Sequence, residues 1–191
     1  MAMWTEWAEP WRKGNAADAR AAQNKIDTDI SWFADPIHFG DYPQKLKEAS
    51  AAYLPTFTEA EKRDLKGSYD YFGITFYTGK WAAERPDNPG GWEVKLVDPS
   101  GRRVGLQAES YWLNDVPWSL TSMLNYIDAR YGAPEIWVME SGFSEKGEAK
   151  RAGGGEAALR DPARIKYFRG YASAACRSRA AGIKLARYYT W

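Results

Sequence analysis

The chain has 191 residues, 45 % of them hydrophobic, which suits one domain with a buried core and excludes a disordered segment. Lys and Arg number 26 against 25 Asp and Glu, so a net charge of +1 supplies no field to draw nucleic acid or an anionic membrane surface. Cys176 is the one cysteine and His38 the one histidine, which excludes an intrachain disulfide and a multi-cysteine metal site and leaves chemistry to carboxylates or tyrosines.

Ten Trp and twelve Tyr are many for so short a chain, and rings with polar tips serve core packing and sugar stacking alike. The first residues contain acids and no apolar run of seven, unlike a signal or transit peptide, and no stretch approaches the roughly 20 apolar residues of a membrane span. A soluble protein is expected, with its compartment left open.

From Ala16 to Phe33 the positions Ala19, Ala22, Ile26, Ile30 and Phe33 recur at helical spacing, and Asp35-Pro36 and Gly40-Asp41-Tyr42-Pro43 are read as breaking it. Thr58-Glu59-Ala60-Glu61 is a capping box that opens a short helix ending before Gly67. Tyr69 to Thr78 is aromatic and β-branched, as a buried strand requires. Residues 79 to 116 read as a long excursion with a hairpin around Asp98-Pro99-Ser100-Gly101, of the kind that serves a site.

Trp118 to Tyr131 carries Leu120, Met123, Leu124, Ile127 and Tyr131 at helical steps and stops at Gly132. Glu135 to Glu140 is a short apolar strand ending on a carboxylate, followed by a polar loop containing Gly153-Gly154-Gly155. Asp161-Pro162 predicts the start of a helix through Ile165, Phe168, Ala172 and Ala175, and Ile183 to Trp191 a final strand. Alternating helices and strands predict a parallel α/β sheet in one domain, residues 1–191, with helices on one face.

A carboxylate at the C-terminal end of a parallel strand is where βα barrels keep their chemistry, and Glu140 holds that place. By itself the placement equally suits a loop cap or a partner for an arginine. The surrounding motifs sharpen it. Arg130-Tyr131-Gly132-Ala133-Pro134 leading into Trp137-Val138-Met139-Glu140-Ser141-Gly142 resembles the turn, strand and Thr-Glu-Asn-Gly of family 1 glycoside hydrolases.

Further segments are similar to that family in the same order: Trp7-Ala8-Glu9-Pro10, Trp32-Phe33-Ala34-Asp35-Pro36, Gly40-Asp41-Tyr42-Pro43, Leu54-Pro55 with Phe57-Thr58 and Glu61, and Lys66 to Ile74. Asp161, Arg164-Ile165 and Tyr167 match its Asp-x-x-Arg-Ile-x-Tyr helix, and Gly182-Ile183 through Tyr188 and Trp191 its eighth strand.

The resemblance implies a partial (β/α)8 TIM barrel, approximately strands five to eight, and β-glucosidase-type retaining hydrolysis with Glu140 as nucleophile. It places Tyr77 as the hydrogen-bond partner of Glu140, Trp191 in the sugar subsite and Trp112 under the aglycone. Thr75 and Ser141 stand where the family has asparagines around the nucleophile, and Arg187 where it has glycine. Glu9 is read as structural. His38 falls in a segment unlike that of the family's sugar-binding histidine and reads as a loop residue.

The family's acid/base motif, Thr-x-Asn-Glu-Pro, does not occur in this sequence, and Glu109, Asp115 and Glu145 are the loop carboxylates considered in its place. No metal or organic cofactor is implied, because two carboxyl groups suffice for this chemistry. The implied ligand is a β-glucoside or a related small carbohydrate.

Strands five to eight alone leave two sheet edges and one face uncovered, and Tyr69, Tyr71, Ile74, Phe76, Trp137 and Val138 are read as an apolar face needing cover. A homodimer, a complementary half-barrel or aggregation is therefore expected, and an incomplete gene, a partial transcript or a metagenomic fragment is the simplest origin. Two readings stay open: a glycosidase completed by a partner half, and a non-catalytic carbohydrate-binding or interaction fragment.

Overall fold

The structure is a computed structural model that describes residues 2–150 and 154–191. In chain order it comprises β1 (Ala2–Pro10), α1 (Ala16–Ile26), a π-helical turn (Asp27–Ser31), α2 (Trp32–Phe39), α3 (Gln44–Ser50) and α4 (Glu59–Leu65). Then follow β2 (Phe72–Arg85), β3 (Asn88–Lys95), β4 (Leu106–Gln107), β5 (Asn114–Asp115), α5 (Pro117–Tyr131) and β6 (Ile136–Glu140). The chain ends with a 3-10 turn (Glu148–Lys150), α6 (Gly154–Ala158), α7 (Pro162–Ala180) and β7 (Leu185–Tyr188).

Four parallel strands in the order β1-β2-β6-β7 form the sheet, and β3 pairs antiparallel with the far half of β2. This is an open run of barrel wall, with no closure between β1 and β7. Met3, Ile74 and Val138 lie in one register row, Thr5 and Phe76 in another. All of these are buried under the helices together with Ile136, Leu120, Leu124, Ile127, Tyr167 and Tyr171. Each such aliphatic side chain contributes about 1.5–3 kcal/mol by leaving water.

Ile74, Phe76 and Val138 therefore face the helices, which corrects their assignment to the uncovered side. That side carries Trp4, Thr75, Tyr77, Trp137 and Arg187. Tyr71 stacks on Trp137 at 4.0 Å, and the Arg187 guanidinium lies 4.7 Å from the Trp137 ring. A charged residue in the last strand is thus accommodated by an aromatic face.

Some predicted elements change extent. The helix from Ala16 continues past Asp35-Pro36 to Phe39, because a π-helical turn intervenes and re-phases it; Gly40, at φ 89°, ends it. Re-phasing also leaves Phe33 exposed, and Ala19 is exposed as well, while Ala22, Ile26 and Ile30 are buried. His38 sits in the last turn of α2, not in a loop, with its Nδ1 2.6 Å from the Tyr69 hydroxyl.

The strand expected over Tyr69 to Thr78 begins at Phe72 and runs on to Arg85, because β3 supplies hydrogen-bond partners for its second half. The turn at Asp98 exists: the Asp98 carboxylate accepts from the Ser100 and Arg102 N–H groups, and Val97 and Arg103 form a single bridge. The longer hairpin, however, is β2–β3.

The capping box at Thr58 and Glu61 is formed in both directions. In α5 all five periodic residues are buried and Gly132 adopts the left-handed cap, φ 54°. In α7 the buried face is Tyr167, Tyr171, Ala174, Ala175 and Ser178, so Ile165 and Ala172 point outward, contrary to expectation. Asp161 precedes α7 without a side-chain cap; its carboxylate pairs with Arg164. Of the Gly153-Gly154-Gly155 run, Gly154 and Gly155 begin α6, and Gly153 lies outside the described residues.

Candidate active site

Glu140 is the last residue of β6 and stands in register with Thr75 of β2, just past a bulge between Ile74 and Thr75. The bulge turns the carboxylate onto the uncovered side of the sheet. There it meets Tyr77, whose phenol donates to Glu140 Oε2 at 3.0 Å. Burial pushes the Tyr77 phenol above the ordinary phenol range, and the hydrogen bond to Glu140 adds to the shift. The phenol accordingly stays protonated, a fixed donor aimed at a carboxylate.

The cavity around this pair has a volume of about 580 Å³. Its walls include Trp4, Thr75, Trp112, Phe143, Ser144 and Trp191. Trp4 stacks on Tyr77 with ring centres 5.9 Å apart, and Trp112 stands edge-on to both rings, at 5.2 Å from Trp4 and 5.6 Å from Tyr77. Trp191 is 79 % exposed and so free to meet a ligand. Its backbone N–H donates to the Ser141 carbonyl at 2.7 Å, which ties the chain end to the loop after Glu140.

Thr75, Tyr77, Trp112, Trp191 and Glu140 are thus brought to one cavity, and Ser141 is not. The Ser141 side chain is fully buried, with its hydroxyl 3.1 Å from that of Tyr167 on the helix side. It contacts the scaffold and not the cavity, because consecutive residues leaving a strand point to opposite faces.

Two loops close the cavity opposite the open face. The Ser144 hydroxyl accepts from the Ser110 N–H and donates to the Ser110 hydroxyl, both at 3.0 Å, and the Glu109 N–H donates to the Ser144 carbonyl at 2.9 Å. Arg164 binds the Phe143 carbonyl at 3.0 Å, Glu148 through both carboxylate oxygens, and Asp161. Arg164 and Glu148 both line the cavity.

The loop carboxylates considered as acids lie elsewhere. Glu109 accepts from the Gly147 N–H, and Glu145 from the Arg164 N–H. Asp115 is buried 3.6 Å from the Lys166 ammonium, with its carboxyl pushed up by desolvation. None of the three lines the cavity of Glu140. Glu9 accepts from the Trp7 indole two residues earlier, at 2.8 Å.

Trp4, Phe143, Ser144 and Glu148 were not singled out from sequence. Trp4 carried no alternating sequence signal; in the structure residues 2–5 alternate exposed and buried before a bulge between Thr5 and Trp7 disrupts the period. Among the described residues no group of three or more His, Cys, Asp or Glu is arranged to hold a metal ion, and no helix is long and apolar enough to cross a membrane.

The strand order and the parallel register define part of a (β/α) barrel, and Glu140 stands at the strand end where such barrels carry their sites. The model of the glycosyl hydrolase family 1 matches residues 1–191, and the chain belongs to that family. It is 34 % identical over 193 residues to beta-glucosidase 4 of Oryza sativa subsp. japonica, covering 97 % of this chain and 39 % of the relative. It is 34 % identical over 189 residues to beta-glucosidase 1B of Phanerodontia chrysosporium, covering 97 % and 34 %.

The crystal structure of beta-glucosidase 2 from Trichoderma reesei in complex with Tris superposes with a TM-score of 0.93 at 31 % identity, over 100 % of this chain and 42 % of that one. A beta-glucosidase from Humicola insolens in complex with glucose gives 0.90 at 34 %, over 98 % and 40 %. The chain spans between about a third and two fifths of the length of these relatives.

Proposed function

We propose that this chain carries the nucleophile half of a retaining β-glycosidase site, with a β-glucoside as substrate. The observation that supports this most is the Tyr77 phenol donating to Glu140 in a cavity walled by Trp112 and Trp191. A Glu140 oxygen attacks the anomeric carbon as the bond to the aglycone oxygen breaks, and water then hydrolyses the glycosyl ester, so the configuration is retained. The Tyr77 hydrogen bond holds the carboxylate in place for attack, and the indole rings bind the faces of the sugar and the aglycone.

General acid assistance is worth roughly 10² to 10⁴-fold. Glu148, the other carboxylate lining the cavity, is engaged by Arg164. Aryl glucosides with good leaving groups are therefore the substrates on which this chain acts unaided. A complementary half-barrel, or a second copy, covers the side of the sheet that bears Trp4 and Trp137.

The test is chemical rescue. Glu140→Ala with azide and a dinitrophenyl β-glucoside is expected to yield the α-glucosyl azide, because azide replaces the carboxylate in the first displacement. If the parent chain releases dinitrophenol and Glu140→Ala with azide forms no α-glucosyl azide, the assignment is contradicted.

A further inference from the structure

We infer that Tyr167 and Tyr171, two tyrosines of α7 on the far side of the sheet, are positioning residues that set the geometry of the Tyr77–Glu140 pair. The inference rests on the role proposed for Glu140. Tyr77 falls where sheet pairing lapses: the β1–β2 ladder passes from Thr5–Phe76 to Trp7–Gly79, and β2–β6 pairing stops at Thr75. A buried backbone carbonyl without a ladder partner needs another donor.

The Tyr77 carbonyl has two. The Tyr167 hydroxyl donates to it at 2.8 Å and the Tyr171 hydroxyl at 2.9 Å, filling both of its lone-pair sites. With its proton committed there, Tyr167 accepts from the Ser141 hydroxyl at 3.1 Å. One phenol therefore links the backbone of Tyr77 to the residue that follows Glu140.

Tyr171 in turn accepts from the Val116 N–H at 3.3 Å, which anchors the segment after Trp112. The two rings are stacked at 4.0 Å and fully buried. Such packing leaves the hydroxyls little freedom, so α7 fixes how far β2 stands from the end of β6 where the ladder no longer does so. The same bridging explains why the Ser141 hydroxyl turns away from the cavity.

The test uses the full chain and Tyr167→Phe, which keeps the ring and removes only the hydroxyl. With 13C-labelled tyrosine, the Tyr77 Cζ resonance, assigned by Tyr77→Phe, reports whether its phenol donates to Glu140. In Tyr167→Phe it is expected to move toward its position in Glu140→Gln; a resonance unchanged from the parent overturns the inference.

In parallel, labelling by a dinitrophenyl 2-deoxy-2-fluoro-glucoside is expected to slow by about tenfold in Tyr167→Phe, and Tyr77→Phe/Tyr167→Phe is expected to be no slower than Tyr77→Phe alone. Independent, multiplying effects count against positioning through Tyr77. If Tyr167→Phe does not fold, Tyr171→Phe answers the same two questions. A parent chain that is not labelled refutes the glycosidase reading, while the resonance still decides the positioning one.

Discussion

Gly142 lies directly against the backbone of Trp191: a Cβ built on it would stand 2.4 Å from the Trp191 carbonyl oxygen. This contact seats the last residue of the chain beside the loop that follows Glu140, and it tolerates no side chain. Gly142→Ala must push the Trp191 segment away, at a cost of about 1–3 kcal/mol for overpacking. Loss of Trp191 from the cavity wall follows, read as a lower urea midpoint and weaker quenching of tryptophan emission by added glucoside.

Removing the Tyr77 hydroxyl acts on Glu140 directly. A hydrogen bond to a charged group is worth about 1.5–3 kcal/mol, so Tyr77→Phe is expected to slow glucosylation of Glu140 by roughly 10- to 100-fold. The fold survives, because the ring keeps its contacts with Trp4 and Trp112. Single-turnover release of dinitrophenol checks the rate, and circular dichroism the fold.

Alkaline conditions bear on several phenols at once. Tyr77, Tyr131, Tyr167 and Tyr171 are all held above the ordinary range, chiefly by desolvation. In the unfolded chain each loses its proton near pH 10, whereas in the folded chain it keeps it. Stability is therefore complete below pH 10 and falls as pH rises beyond it, by about 1.4 kcal/mol per pH unit for each phenol so held. Urea midpoints between pH 9 and 11, with additional tyrosinate absorbance appearing on unfolding, check this.

Asp18 ties the segment after β1 to the far half of β2. Fully buried in α1, it accepts from the Arg12 guanidinium at 2.7 and 2.9 Å and from the N–H groups of Arg12 and Glu84. The Arg12 hydrogen bonds hold its carboxyl below the usual range. Its stabilisation is present above the unfolded pKa of about 4 and is lost as pH falls through the lower folded value. Asp18→Asn, which puts an N–H group where two acceptors stood, is expected to lower the urea midpoint at pH 7.

What was legible in the sequence, and what was not, follows from the range of the interactions concerned. The α5 helix, the Thr58 cap and the strand ending at Glu140 rest on local periodicity and local caps, and motif order alone brought Tyr77, Trp112 and Trp191 to Glu140. The second half of β2 was missed because its pairing with β3 is decided across the hairpin, not within the strand. The phase of α7 was misjudged because two tyrosines with polar tips, and not Ile165, fill the core; only the waiting Tyr77 carbonyl makes that favourable. Motif position points Ser141 to the cavity, but the residue after Glu140 points to the opposite face, where its hydroxyl meets Tyr167 of α7.

The side of the sheet bearing Trp4 is 47 % open at that residue, and Tyr189 is 44 % exposed. Both β1 and β7 also present free edges. Sedimentation at rising concentration is expected to give masses above the 21.6 kDa of one chain, and Trp4→Lys to lower them.

The most direct measurement is the intact mass of the chain after incubation with 2,4-dinitrophenyl 2-deoxy-2-fluoro-β-glucoside, in parallel with Glu140→Gln. A single fluoroglucosyl adduct on the parent, mapped to the peptide holding Glu140 and missing from the variant, is the expected result. A folded parent that stays unlabelled, or an adduct that persists in Glu140→Gln, contradicts the nucleophile assignment.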